Sequence, residues 1–180
     1  MLKVLAGFVG GLVFVGIVMF TFAMQLFFTE IESPFGVEET AARIQQNIQT
    51  LEHKGWALSG LRDPSKAVAN AGGNVPPVLL VEACSTDYSG PIMAKDSTRI
   101  LSILMPCTIT VYKKDNGKTY IGMMNAGLMG QMFGVGDVMS HVAADQKIFV
   151  TFDATKPAPP LIKGTPGAGG SGGGKEGSGC

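Results

Sequence analysis

Sulfur-bearing side chains are the residues of this sequence best suited to chemistry. Cys84 closes the apolar run VLLVEAC, and Cys107 sits early in a second one, LMPCTITVY. Outside the cytoplasm such a pair is a candidate disulfide, and closing a loop of about 24 residues would contribute roughly 3 kcal/mol in the chain-entropy account. The same two residues also read as a reactive dithiol or metal-binding pair, or as small hydrophobes packed in a core. The chain has no C-x-x-C spacing and no basic neighbour of either cysteine that would depress a thiol pKa. Glu82, two residues before Cys84, shares its strand face and is a candidate to orient a ligand or accept a proton.

Methionines make the second constellation. Met123, Met124, Met129, Met132 and Met139 precede His141 within one glycine-rich stretch. Thioether and imidazole donors suit Cu(I) or the axial positions of a haem, which makes Met129, Met132, Met139 and His141 metal candidates. Methionine also fills irregular cores and adaptable contact surfaces, so packing or a dimer contact is the competing account. Nucleophilic triads, phosphate-binding loops, dinucleotide fingerprints and haem-attachment motifs are absent. Glu38-Glu39 are explained by a helix N-terminus, and His53 by a helix C-terminus. Lys plus Arg and Asp plus Glu both total 14, so no global field favours nucleic acid.

The elements that must position these residues lie between two unusual ends. Residues 4–28 carry no charge, with Lys3 before them and Glu30 and Glu32 after. A helix of that length reaches roughly 37 Å, more than the ~30 Å hydrocarbon core. Residues 1–28 are therefore expected to be an uncleaved transmembrane anchor with its N-terminus inside, because the exit TFAMQLFF lacks a small-residue cleavage site. The chain then sits in the inner (cytoplasmic) membrane as a single-pass protein, its C-terminal domain in the periplasm or outside. Gly7 and Gly11 form a G-x-x-x-G that lets two such helices approach. At the other end, residues 156–180 are rich in Pro, Gly and Ser and read as a flexible tail ending in Cys180.

Residues 29–155 are expected to form one α+β domain. FTEIES alternates as a short strand. Val37, Ala41, Ile44, Ile48 and Leu51 step by four, three, four and three, which places them on one helical face between Gly36 and Gly55. WALSGL reads as a strand, Asp63-Pro64 as a helix start, and VLLVEAC as a buried strand. Asn116-Gly117 predicts a hairpin with a type I′ turn between TITVYKK and KTYIGMM. VMSHVAADQKIFVTF is expected to close the domain as a helix, and AGLMGQMFGVGD stays ambiguous between loop and helix. The order β-α-β-(α)-β-(α)-β-β-α predicts an antiparallel or mixed sheet with helices on one face.

Three segments resemble the domain of unknown function 302 family: SPFGVEETAARIQQNIQTLEHKGW, VEACS and LMPCTITVYKKDNGKTYIGMMN. They match its E-E-T helix start, its K-G helix end, its E-x-C strand end and its L-P-C lead into a hairpin. The resemblance covers roughly residues 28–150. It implies a TATA-box-binding-protein-like α+β fold, often dimeric, with no DNA binding and no established reaction. By position the family's two cysteines fall on Cys84 and Cys107. Two features depart from the family: Ser85-Thr86 follows Cys84 where C-N-P is usual, and GLMGQMFGVGDVMSHV replaces a charged, Ala/Leu-rich helix.

Together these features read as a membrane-anchored accessory domain outside the cytoplasm, non-enzymatic or weakly linked to redox or sulfur metabolism. It would bind a small sulfur species, a soft metal such as copper, or a cofactor such as haem, or present a thiol to a redox partner protein. The alternative is a structural or interaction module, a homodimer in which the cysteines merely pack.

Overall fold

The computed structural model describes residues 11, 14–16 and 25–164. Five strands form one sheet in the order β1-β5-β4-β3-β2: β1 Phe28–Ser33, β2 Trp56–Arg62, β3 Val78–Ser85, β4 Cys107–Lys113 and β5 Thr119–Met124. Every neighbouring pair is antiparallel, so no strand is mixed in. After β1 the described residues form the α-helices α1 Val37–Gln49, α2 Pro64–Asn70, α3 Thr86–Met93, α4 Asp96–Arg99, α5 Ala126–Met132 and α6 Gly136–Phe149. Among the described residues no helix is long and apolar enough to cross a membrane. Most of the charge-free stretch 4–28 lies outside the described residues, as does Cys180.

The apolar spacing of α1 becomes the core. Ala41, Ile44 and Ile48 are fully buried, in one cluster with Val81, Val111 and Ile121 from the three central strands. Alternation along those strands turns the other sheet face outward, where Glu30, Glu32, Lys114 and Lys118 form ion pairs. Gly36 is the N-cap of α1, and the Glu39 carboxylate accepts from Arg43 at 2.9 Å. Asp63 caps α2 by accepting from Lys66 N at 2.8 Å, with Pro64 at the first helical position.

Two local expectations are corrected. In the β4–β5 hairpin no residue other than glycine has positive φ, so the loop is not a type I′ turn. Gly117 N donates to Lys114 O at 2.9 Å and Gly117 has φ of 80°, which makes a type I turn closed by a glycine bulge. Asn116 holds that loop through Oδ1, which accepts from Lys118 N at 3.0 Å. The closing helix stops at Phe149, so the β-branched Val150-Thr151 end lies outside it.

The segment from Lys156 does not begin as a free tail. Gln45, buried within α1, donates from Nε2 to Ile162 O at 3.0 Å and accepts from Ile162 N at 2.9 Å. Arg43 adds donors to Asp153 O at 3.0 Å and Lys156 O at 2.9 Å, while Leu161 and Ile162 pack on the core. One helix side chain thus pairs with a backbone amide as a neighbouring strand would. Gln45→Ala leaves both Ile162 groups without partners, at a cost of about 1–3 kcal/mol. The expected readout is faster limited-proteolysis cleavage at Leu161 and Lys163 with the rest of the domain intact.

Candidate functional site

All five strands bring one end to the same end of the sheet. The register pairs Phe28 with Met124, Ala83 with Cys107, and Trp56 with Ser85. The helices following β3 and β5 fold over that end. Ser85 starts α3, accepting from Tyr88 N at 3.4 Å and donating to Lys54 O at 2.7 Å. Asn125 starts α5 by accepting from Leu128 N at 3.1 Å. It also ties α5 to the incoming chain, donating from N to Phe27 O at 2.8 Å and from Nδ2 to Leu26 O at 3.1 Å.

Between these helices and the sheet lies an apolar cavity of about 50 Å³. Six of its lining residues carry sulfur: Cys84, Met105, Cys107, Met124, Met129 and Met139. Leu101, Leu104 and Phe133 stand at its rim, and Trp56, Ile92 and Val142 back it. Its volume is far below the ~300 Å³ at which small-molecule pockets begin, so an occupant is an ion or a few atoms. Cys107 is a free thiol, so it forms no disulfide with Cys84. Burial pushes that thiol up to about 11, which keeps it protonated at neutral pH.

Four of the seven site candidates named from the sequence therefore share one cavity: Cys84, Cys107, Met129 and Met139. The other three lie elsewhere. Met132 is 55% exposed on α5, and His141 is exposed on α6, stacked on Tyr88 with ring centroids 6.0 Å apart. Glu82 lies between Gly60 and Thr108 in the sheet and pairs with Arg62. Among the described residues no three His, Cys, Asp or Glu side chains converge as a metal site. Met105 carries no signal in the sequence, and Met124 belongs to the methionine constellation without being one of its metal candidates; each sits at a strand boundary, where position alone does not reveal which way it turns.

Asp145 on α6 is the polar group behind the cavity. It is 1% exposed and accepts from Lys54 Nζ at 2.6 Å, Trp56 Nε1 at 2.9 Å and Tyr88 Oη at 2.9 Å. Burial opposes its charge, yet the hydrogen bonds from Lys54, Trp56 and Tyr88 outweigh burial and hold the carboxyl below its usual value. Burial and the bond to Asp145 raise Tyr88 to about 12, so its hydroxyl remains a donor. The network fixes Trp56 and Tyr88, two walls of the cavity, and leaves no polar atom of Asp145 to face an occupant.

Residues 29–150 match a family described as "Domain of unknown function DUF302", and the match includes the glycine- and methionine-rich segment. The fold is similar to that of an uncharacterized conserved DUF302 protein from Bacillus stearothermophilus, known from a crystal structure. The TM-score is 0.60 at 16% identity, covering 69% of this chain and 96% of that one. No curated protein matches the chain.

Proposed function

The chain belongs to the DUF302 family of domains of unknown function, and from that premise we propose that it is a membrane-anchored, non-enzymatic accessory domain outside the cytoplasm that holds a soft monovalent cation, Cu(I), in its sulfur-lined cavity. The observation that carries this reading is the convergence of the Cys107 thiol with the thioethers of Met105, Met124, Met129 and Met139. Thioether and thiolate donors in an apolar site select Cu(I) over harder ions, and one ion suits the cavity's volume. The charge-free residues 4–28 support the anchor, and an apolar cavity shields the reduced ion from oxidation and water.

Because Cys107 is protonated at neutral pH, a cation that takes its thiolate releases one proton. Affinity is then expected to rise by about tenfold per pH unit below the thiol's own pKa. The test is titration of the detergent-solubilised full chain with Cu(I) against a chromogenic competitor. One equivalent should bind, at least about tenfold more weakly in Cys107→Ser and in the Met129→Leu/Met139→Leu variant. Stoichiometric binding unchanged by these substitutions, or no retention of Cu(I), would overturn the reading in favour of an interaction module whose sulfurs only pack.

A further inference from the structure

The end of the sheet that carries the cavity also carries the described chain's exposed apolar side chains in greatest density. Ile100 is 73% exposed, Ile103 80%, Met132 55% and Phe133 44%. They come from two separate elements, the 3-10 turn Ile100–Leu104 and α5 with its C-cap, each of which also lines the cavity, the turn through Leu101 and Leu104 and α5 through Met129 and Phe133. Single exposed apolar residues are ordinary, whereas several around one opening mark an interaction surface.

The incoming chain identifies what covers this surface. The charge-free residues 4–28 reach the domain at Leu26–Phe28, and Asn125 bonds the Leu26 and Phe27 carbonyls at the same end of the sheet. Leu26 and Phe28 are themselves 56% and 53% exposed. Lys95 stands exposed just before the patch's first isoleucine, as a cation at a headgroup layer does, while Arg99 pairs with the exposed Asp96 at 2.8 Å. The opposite end of the sheet is of another character, a polar cleft of about 760 Å³ bordered by Glu32, Glu38, Glu39, Asp63, Lys113 and Lys118.

The geometry points to a bilayer-docked domain: the apolar patch of Ile100, Ile103, Met132 and Phe133, beside the cavity rim, rests in the membrane interface next to the anchor, so that the cavity opens toward lipid and not toward bulk water. This orientation rests on the anchor reading above and adds to it a fixed face. Burying four such side chains in the interface holds the domain against the membrane instead of leaving it on a swinging stem. The occupant of the cavity would then exchange at the membrane surface, with a partner that also works there.

The experiment uses the full chain in phosphatidylcholine–phosphatidylglycerol vesicles, with Ile103→Trp, Phe133→Trp and, as a control at the polar end, Val75→Trp, which replaces a residue 44% exposed. Lipids brominated in the acyl chains should quench the added fluorescence of the two rim variants about twofold or more and leave the control unchanged. Rim tryptophans quenched no more than the control, in protein that floats with the vesicles, would overturn the docked orientation and leave the anchor standing. Protein that does not float at all would overturn both.

Discussion

Asp145→Ala is expected to lower the free energy of unfolding by about 3–5 kcal/mol, the largest effect of any single polar substitution in the domain. The carboxylate is 1% exposed and accepts three hydrogen bonds, so its removal strands three donors at once. Lys54 is half-exposed and recovers water, but the Trp56 indole N–H is buried and does not. Trp56 also meets Phe149 edge-to-face at 4.9 Å, so a shift of the indole propagates into the core. Asp145→Asn keeps the volume but replaces one acceptor oxygen by a donor facing other donors, and should recover less than half of the loss. Urea unfolding followed by far-ultraviolet circular dichroism measures both.

The same residue sets a pH dependence. Its folded pKa lies below its unfolded value, so the unfolded chain binds the proton more readily. The stability it contributes is fully present above the unfolded value of about 3.9 and is lost as pH falls through the lower folded value. Wild type should therefore lose stability on acidification in that window, and Asp145→Asn should show a flatter profile. Equal slopes would mean that Lys54, Trp56 and Tyr88 do not stabilise the charged form.

Asp145 also shows where reading residues in order stops being informative. An isolated aspartate in a helix is ordinarily a surface residue, and nothing local announces that a lysine, a tryptophan and a tyrosine from distant segments will surround it. The elements that were legible are those whose pattern is local. The four-three spacing of α1, the Asp63-Pro64 start of α2 and the Asn-Gly of the hairpin each follow from backbone geometry, whereas α1 ends at Gln49 and Gly55 closes the separate 3-10 turn Glu52–Lys54. Even there, Asn-Gly specified a hairpin but not its turn, because Asn116 served the loop with its side chain and left positive φ to Gly117. The prolines after Lys156 explain why that stretch has no helix or strand, but composition does not reveal that Gln45 will hold it. A glutamine one residue from Ile44, inside the buried face of α1, was the available signal.

The candidate site divides along the same line. Cys84 and Cys107 lie on adjacent antiparallel strands, as their places at a strand end and a strand start suggest, but the register sets Cys107 opposite Ala83 and the two form no disulfide. The methionines were legible as a group but not individually. Met129 and Met139 turn inward and Met132 outward, a sorting decided by the packing of α5 on α6. Glycines in that segment hid the helical period while making the packing feasible.

Gly130 is where that packing is closest, and Gly130→Ala is expected to cost about 2–3 kcal/mol despite alanine's better helix propensity. A Cβ there would lie 2.4 Å from Met139 Cβ and 3.2 Å from Gly136 Cα. Neither atom is the far end of a flexible side chain, so α5 and α6 must separate for the methyl group to fit. Separation opens the Val135 N to Gly130 O bond, 2.9 Å, that closes the corner between the two helices. It also moves Met129 and Met139 apart, on the side where they line the cavity. Met139→Gly removes the nearer obstacle, so in that background Gly130→Ala should cost less than half as much, a coupling of about 1–2 kcal/mol. Additive losses would mean that the helices accommodate the methyl group without contact between the two positions. If the cavity holds Cu(I), Gly130→Ala should weaken its binding at temperatures where the variant is still folded. Affinity that is unaffected by moving two of the thioethers would remove Met129 and Met139 from the donor set and leave Cys107, Met105 and Met124 to account for any binding.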